Sequence, residues 1–278
     1  MNAFYSALCA LSLVLFSSQA LAVPVSLGAA GPANWTVLNV DTGTLSISGT
    51  GSINGNVGLN GGNLSDSGTS IKGNLVTSGT VNVSLSGGAT ISGTTINKSS
   101  LPSQAASAAV AASSAAAILG SSGGGKGLSS IIYNNAGTID LMAGVYNLTN
   151  LVLNNTTLDL TAGGNYVFNI SGSLAMNASK ILDSTGANVL FNITSGAASL
   201  SGGSVLDGIV LAPNATFSES GGSVVGEIIG GNISISGAKV QGLSAVPDGG
   251  SSVLLLAVGI GCLCISGKFG HYRRSNTA

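Results

Sequence analysis

Ser52-Ile53-Asn54-Gly55-Asn56 returns eighteen residues later as Ser70-Ile71-Lys72-Gly73-Asn74, and twenty residues after that as Thr90-Ile91-Ser92-Gly93-Thr94. The beat continues further along. Thr138-Ile139-Asp140-Leu141 recurs as Thr157-Leu158-Asp159-Leu160, Gly202-Gly203-Ser204-Val205 as Gly221-Gly222-Ser223-Val224, and Ile209 as Ile228, each nineteen residues on. A fixed period of this length means one small unit stacked many times. Inside each unit apolar and polar residues alternate over short runs, as in Thr44-Leu45-Ser46-Ile47, Val81-Asn82-Val83-Ser84-Leu85 and Ile233-Ser234-Ile235. Alternation at period two sends every second side chain inward, and Gly and Asn supply the corners. The pattern predicts an all-β chain, a β-solenoid of 18–20 residues per rung, with Ile209 and Ile228 stacked inward on adjacent rungs. No rung is stable alone; each rests on the next about 4.8 Å away. The 223 residues from Val23 to Ala245 suffice for roughly nine to eleven rungs.

One stretch breaks the beat. Ser103 to Leu119 is almost entirely Ala and Ser, with Val110, Ile118 and Leu119. Alanine is the best helix former, Pro102 and Ser103 suit a helix start and Gly120 its end. A helix over 103–119 would be about 25 Å long, the height of roughly five rungs, and its small side chains would let it lie close along the wall. A low-complexity linker is the alternative.

Composition excludes several functions. Cys9, Cys262 and Cys264 are the only cysteines, His271 is the only histidine, and Arg273 and Arg274 are the only arginines; all lie outside residues 23–245. That region has no disulfide framework and no thiol chemistry. Its five lysines against eight carboxylates give a net charge of −3, so nucleic-acid binding through phosphate contacts is not expected.

The two ends speak to handling. Ala7 to Phe16 is an apolar core, and Ala20-Leu21-Ala22 is an A-x-A site before Val23, as in a secretory signal of residues 1–22, although no Lys or Arg precedes the core. A buried N-terminal helix is the alternative. At the other end, Val246-Pro247-Asp248-Gly249-Gly250-Ser251 precedes an apolar run from Val253 to Ile265, followed by Lys268, Arg273 and Arg274. Thirteen apolar residues are few for a span; residues 251–269 make nineteen, with Lys268 snorkelling. The basic tail would stay cytoplasmic. The order of motif, apolar segment and basic tail resembles the PEP-CTERM sorting signals of Gram-negative bacteria, in the variant beginning Val-Pro-Asp. The resemblance implies export through the Sec translocon, a membrane-anchored stage, and recognition by an exosortase-type transpeptidase. A plain tail anchor is the alternative. The domains expected are therefore a signal (1–22), a solenoid (23–245) and a sorting region (246–278).

Taken in order, the rungs, the Ala-rich segment, Leu141-Met142-Ala143-Gly144-Val145-Tyr146, the runs Tyr166–Ile170 and Asn188–Ile193, Gly208-Ile209-Val210-Leu211-Ala212-Pro213-Asn214-Ala215 and Val225-Gly226-Glu227-Ile228-Ile229 resemble the ice-binding-like β-solenoids and the related choice-of-anchor A surface domains. Ala143 replaces the family's usual proline. The resemblance implies a right-handed parallel β-helix with one helix packed along it. Some relatives bind ice through a flat, often Thr-rich face, but Thr42/Thr44, Thr94/Thr95 and Thr156/Thr157 do not repeat at the rung period.

Three features imitate sites. Gly120–Lys126 resembles a phosphate loop, but Gly127 stands where Ser or Thr should ligate magnesium, and the loop follows a helix instead of leading into one. Asp140 and Asp159, one rung apart, should stack on an outer face, where two carboxylates about 5 Å apart are either a glycosidase pair, a Ca²⁺ site or, as favoured here, two solvated aspartates. Phe168 and Phe191 alternate with polar residues and are expected in the core; Trp35, near the first rung, is expected to cap the open solenoid end. The reading is a non-enzymatic, exported, surface- or matrix-anchored adhesive solenoid without cofactor, its partners extracellular polysaccharide or neighbouring surface proteins. The alternatives are an ice-binding protein and a polysaccharide-binding or -modifying protein.

Overall fold

The computed structural model describes residues 25–79, 81–119, 125–126 and 129–243, all within one compact unit that ends at Leu243. Residues 1–22 with the Ala20-Leu21-Ala22 site and Val23, the motif Val246–Ser251, the segment 251–269 and the tail residues Lys268, Arg273 and Arg274 lie outside the described residues, as do most of residues 120–128. Among the described residues, no helix is long and apolar enough to cross a membrane.

The chain forms one 22-stranded sheet wound into a solenoid, and every strand pairing is parallel. Each rung contributes to three faces. The first rung of the N-terminal half shows the path: Val37–Asn39 on the first face, Leu45–Ser48 on the second, Ser52–Asn54 on the third, and back to the first with Val57–Leu59. The repeats pair as read at Ser52/Ser70 and Ile53/Ile71, at Ser70/Thr90 and Ile71/Ile91, and over Thr138–Asp140 with Thr157–Asp159.

The rung length of 18–20 residues does not hold throughout: pairing offsets grow to 22 at Tyr146/Phe168, 24 at Leu174/Ala198 and 25 at Ile181/Leu206, the added residues being taken up in the corners. One repeat offset also fails. Val205 pairs with Ser223, Leu206 with Val224 and Val210 with Ile228, an offset of eighteen. Ile209 lies opposite Glu227 and faces outward, so Ile209 and Ile228 are not stacked neighbours. The reason is in the corner. Gly202 and Gly203 both turn through left-handed backbone (φ 63° and 77°), whereas the next corner uses only Gly221 (φ 77°). The second corner is one residue shorter, so a glycine motif does not carry the strand register.

The rungs do not stack in sequence order throughout. The last rung meets the first: Lys239–Gln241 pairs with Ser52–Asn54, Ile228–Gly230 with Val37–Asn39, and Ile233–Ser236 with Leu45–Ser48. In space the stack runs through residues 125–241 and continues through 37–96. The chain must therefore return from one end to the other, and helix α1 (Leu101–Leu119) does this along the first face. It begins two residues earlier than the composition suggested. Its 19 residues span about 28 Å, close to the six strand spacings between Leu75–Thr77 and Asn165–Ile170, both of which it touches. Ala105, Ala109, Ala112 and Ala116 are buried at helical spacing, so backbone meets sheet closely. Asparagines fix the docking. Asn192 Nδ2 donates to the Ser113 carbonyl (3.0 Å) and Asn169 Nδ2 to the Ala116 carbonyl (2.8 Å), and Ser113 Oγ donates to Asn192 Oδ1 (2.6 Å).

The interior is a set of columns. Tyr146, Phe168 and Phe191 stack with centroids 5.1 and 5.0 Å apart, and their column continues through Val210, Ile228, Val37, Val57 and Leu75. Trp35 is buried but caps no end. The first rung is in the middle of the stack, so Trp35 packs on its side, with Val25, Leu27 and Leu38 around α1, and donates its indole N–H to the Ala29 carbonyl (2.8 Å).

Candidate functional site

The second face is built from nine strands, and its outward positions form files along the stack. One file is Ser199, Ser218, Ser234, Ser46, Ser65 and Ser84. Beside it run Ser220, Ser236, Ser48, Ser67 and Ser86. Strand pairing sets the spacing along each file at about 4.8 Å, and pleating sets roughly 7 Å between the files. All but Ser48 are exposed, and Ser48 Oγ donates to Ser236 Oγ at 3.2 Å. Beyond Ser199 the first file turns apolar, through Ala175, Val152 and Ile132, while Asn177, Asn154 and Asn134 extend the second. No outward residue of these files is charged. Parallel pairing in register keeps each side chain of a file over the one below, although the rungs differ in length.

The residue that repeats at the rung period on this face is serine, not threonine. Its signal is Ser-x-Ser: Ser46-Ile47-Ser48, Ser65-Asp66-Ser67 and Ser84-Leu85-Ser86 in one half, and Ser199-Leu200-Ser201, Ser218-Glu219-Ser220 and Ser234-Ile235-Ser236 in the other. The two sets become one surface only because Ser234 pairs with Ser46 across the joint between halves. Of the threonines, Thr156 is buried and Thr44 sits at the edge of the second face.

Charge is concentrated on the third face, at Asp140, Asp159, Lys180, Asp207, Lys239 and Lys72. Asp140 and Asp159 stack there as expected, and Asp159 Oδ1 accepts from Ser184 Oγ at 3.4 Å. Among the described residues no group of three His, Cys, Asp or Glu side chains is placed to hold a metal ion. Burial raises the pKa of Asp207; the Asp183 amide, which donates to Asp207 Oδ2 at 3.2 Å, lowers it in part, and the Asp183 carboxylate adds a smaller upward push.

Three carboxylates are buried elsewhere. Asp66 and Glu219 point inward under the serine face, at the same inner position as Ile47 and Ile235. Asp66 Oδ1 accepts from the Thr69 amide (3.1 Å), and burial still raises its pKa. Glu219 is pushed up to about 7 by burial; the Gly222 amide lies near it and offsets a little of this, without the geometry of a hydrogen bond. Glu227, on the first face between Ile209 and the Thr36 segment, is fully buried, has neither carboxylate oxygen paired, and is raised well above its usual value. In each case burial in apolar surroundings disfavours the charged form.

Similar proteins share this architecture. An ice-binding protein from an Arctic yeast, glycosylated, superposes with a TM-score of 0.58 at 17% identity over 82% of this chain and 98% of its own. One from an Antarctic biological consortium gives 0.57 at 21% identity, over 81% and 93%. One from the Antarctic ascomycete Antarctomyces psychrotrophicus gives 0.51 at 21% identity, over 80% and 99%. At these identities the likeness establishes the fold alone. No curated protein sequence matches the chain. The family model described as an ice-binding-like adhesive domain matches residues 15–242, nearly the whole solenoid. With its parallel rungs and its helix returning along one face, the chain belongs to the ice-binding-like adhesive domain family.

Proposed function

We propose that this protein is an exported surface adhesive, without catalytic activity, that holds hydroxyl-rich solid surfaces through its serine-paved second face. The observation that carries this is the uncharged double file of eleven serines, Ser199 to Ser84 and Ser220 to Ser86. Regular hydroxyls on a rigid wall match an extended polysaccharide or another regular polar surface. Each hydrogen bond exchanges for one with water and contributes little, so attachment depends on many sites acting together. With no charge in the files, attachment should change little with salt. The reading includes handling by a Sec translocon and an exosortase-type transpeptidase, supported by the sequence of the two ends alone.

A second reading is ice binding. It is favoured by the lattice-like spacing of the files and by the ice-binding proteins among the structural neighbours. Serine lacks the methyl group that threonine would add, which makes the face more hydrophilic and favours the first reading. The deciding experiment is partition of the purified solenoid between solution and growing ice, run beside partition onto insoluble polysaccharide. Ser46→Lys, in the middle of the double file, should abolish whichever binding exists. Retention of all binding by this variant would place the site elsewhere.

A further inference from the structure

Both ends of the stack are open. At one end the last rung is Asn82–Ser86 on the second face, Thr90–Ile91 on the third and Thr95–Ile96 on the first. Among the described residues these strands pair on one edge only, with Asn63–Ser67, Ser70–Ile71 and Leu75–Thr77. At the other end the second and third faces finish in Ser130–Asp140, whose one pairing is with Asn150–Asp159. Each outer edge presents a row of backbone donors and acceptors to a further strand. Core positions are open with them. Val83 and Leu85 lie against the buried Leu64 and Asp66 yet are 39% and 43% exposed, and Tyr133, against the buried Leu153, is 37% exposed. Neither Asn82–Ser86 nor Ser130–Asn135 carries a charge or a proline, the common devices that keep a sheet edge from pairing.

We infer that the open ends bind each other: the Asn82–Ser86 end of one molecule stacks on the Ser130–Asp140 end of a second copy of this chain, head to tail. The two ends match in register. Val83/Ile131, Leu85/Tyr133 and Ile91/Ile139 are each 48 residues apart, so one setting places all three inward side chains of one rung over those of the other. The corner between the second and third faces is thus equally long in both rungs, and Thr90-Ile91 lies on Thr138-Ile139. The chain already makes such a joint with itself, where Ile233–Ser236 and Lys239–Gln241 pair with Leu45–Ser48 and Ser52–Asn54. There the two corners differ by one residue and the parallel ladder still forms; between copies there is no difference to absorb. The side-chain ladder also has a direction. Asn154 Nδ2 donates to Asn134 Oδ1 (2.6 Å) and Asn155 Nδ2 to Asn135 Oδ1 (3.0 Å), towards the 130–140 end. The same setting brings the Ser86 hydroxyl against the Asn134 amide as the next acceptor. A contact between two different ends does not close on itself, so it propagates into a filament. With nine second-face strands in each molecule, its axial repeat is about 43 Å. The inference does not depend on what the serine face holds.

The test compares full chains in mild detergent and reductant, so that the apolar run Val253–Ile265 and the cysteines are treated alike in every sample. Leu85→Lys spoils one end and Tyr133→Lys the other, at side chains that are partly exposed in the single molecule. Wild type should sediment as a series of species that grows with concentration, and electron micrographs should show filaments with an axial repeat of about 43 Å. Each variant alone should be monomeric, since it keeps one competent end. An equimolar mixture of the two should form dimers and nothing larger. Wild type that stays monomeric at every concentration overturns the inference, as do variants that associate like wild type. Association lost in one variant and kept in the other means contact between like ends, and overturns it too. Should a lysine variant fail to fold, the outward pair Ser84 and Ile132, which the setting brings face to face, carries the same test. Ser84→Glu with Ile132→Glu in one chain should weaken association several-fold, and Ser84→Lys with Ile132→Glu should restore it, because like charges directly opposite repel and unlike charges attract. Equal association of these two chains overturns the inference. Partition onto ice or polysaccharide is measured separately, and its failure refutes the adhesive reading without touching the stacking.

Discussion

Replacing Glu219 by glutamine should change the pH dependence of stability in a defined direction. Glu219 is 1% exposed inside the solenoid, its neighbours along the inner column being Leu200 and Ile235. Burial raises its pKa from 4.5 to about 7. The folded state therefore binds this proton more tightly than the unfolded state. The contribution of the neutral carboxyl is fully present below pH 4.5, is lost as pH rises towards 7, and stays lost above it. At 1.36 kcal/mol per pH unit the loss is about 3 kcal/mol. A glutamine side chain at this position cannot ionise. Urea unfolding of the solenoid at about pH 4 should find wild type and Glu219→Gln nearly equal in stability. At about pH 8 the variant should be the more stable by about 3 kcal/mol. Glu227, Asp66 and Asp207 are raised as well, so both proteins should weaken with rising pH, and wild type more steeply. Stability curves that run parallel across this range would refute the assignment of Glu219 as a neutral, inward-facing acid.

Phe168→Ala removes the middle ring of the Tyr146–Phe168–Phe191 stack, a fully buried site, and should cost about 3–5 kcal/mol in denaturant unfolding. Asn192→Leu strips α1 of the bonds at Ser113 and leaves its carbonyl unpaired; a loss of about 1–3 kcal/mol is expected, with hydrogen exchange accelerated in the helix before the sheet. Ile228→Asp buries a carboxylate in the central column and should cost several kcal/mol, so a variant that melts like wild type would contradict the register. Asp140→Asn combined with Asp159→Asn should leave folding and attachment unchanged; loss of a hydrolytic or calcium-dependent activity in that double variant would replace the structural reading with a stacked-carboxylate site.

The alternation and the Ala-rich helix were legible in the sequence, because each is a local periodicity that the backbone enforces residue by residue; the rung length was legible only where the repeats are regular, since rungs of 22–25 residues lie between Tyr146 and Leu206. Ser52/Ser70 and Asp140/Asp159 pair as their motifs do because these motif residues lie on the strands themselves and not in the corners. The Gly202 and Gly221 motifs do not, because corners absorb insertions: the offset is nineteen at Ser199/Ser218, eighteen at Leu206/Val224 and sixteen at Thr216/Asn232. The order of rungs in space was decided only by tertiary structure. Nothing local to Ser52–Asn54 marks Lys239–Gln241 as its neighbour; any strand of matching length offers the same backbone donors and acceptors. The choice follows from closing two free sheet edges at once, and a helix of the right length makes it reachable. The serine face has the same origin. Six Ser-x-Ser units are visible in the sequence as two sets of three, and they become one binding surface because a parallel ladder joins Ser46 to Ser234, residues from opposite halves of the chain.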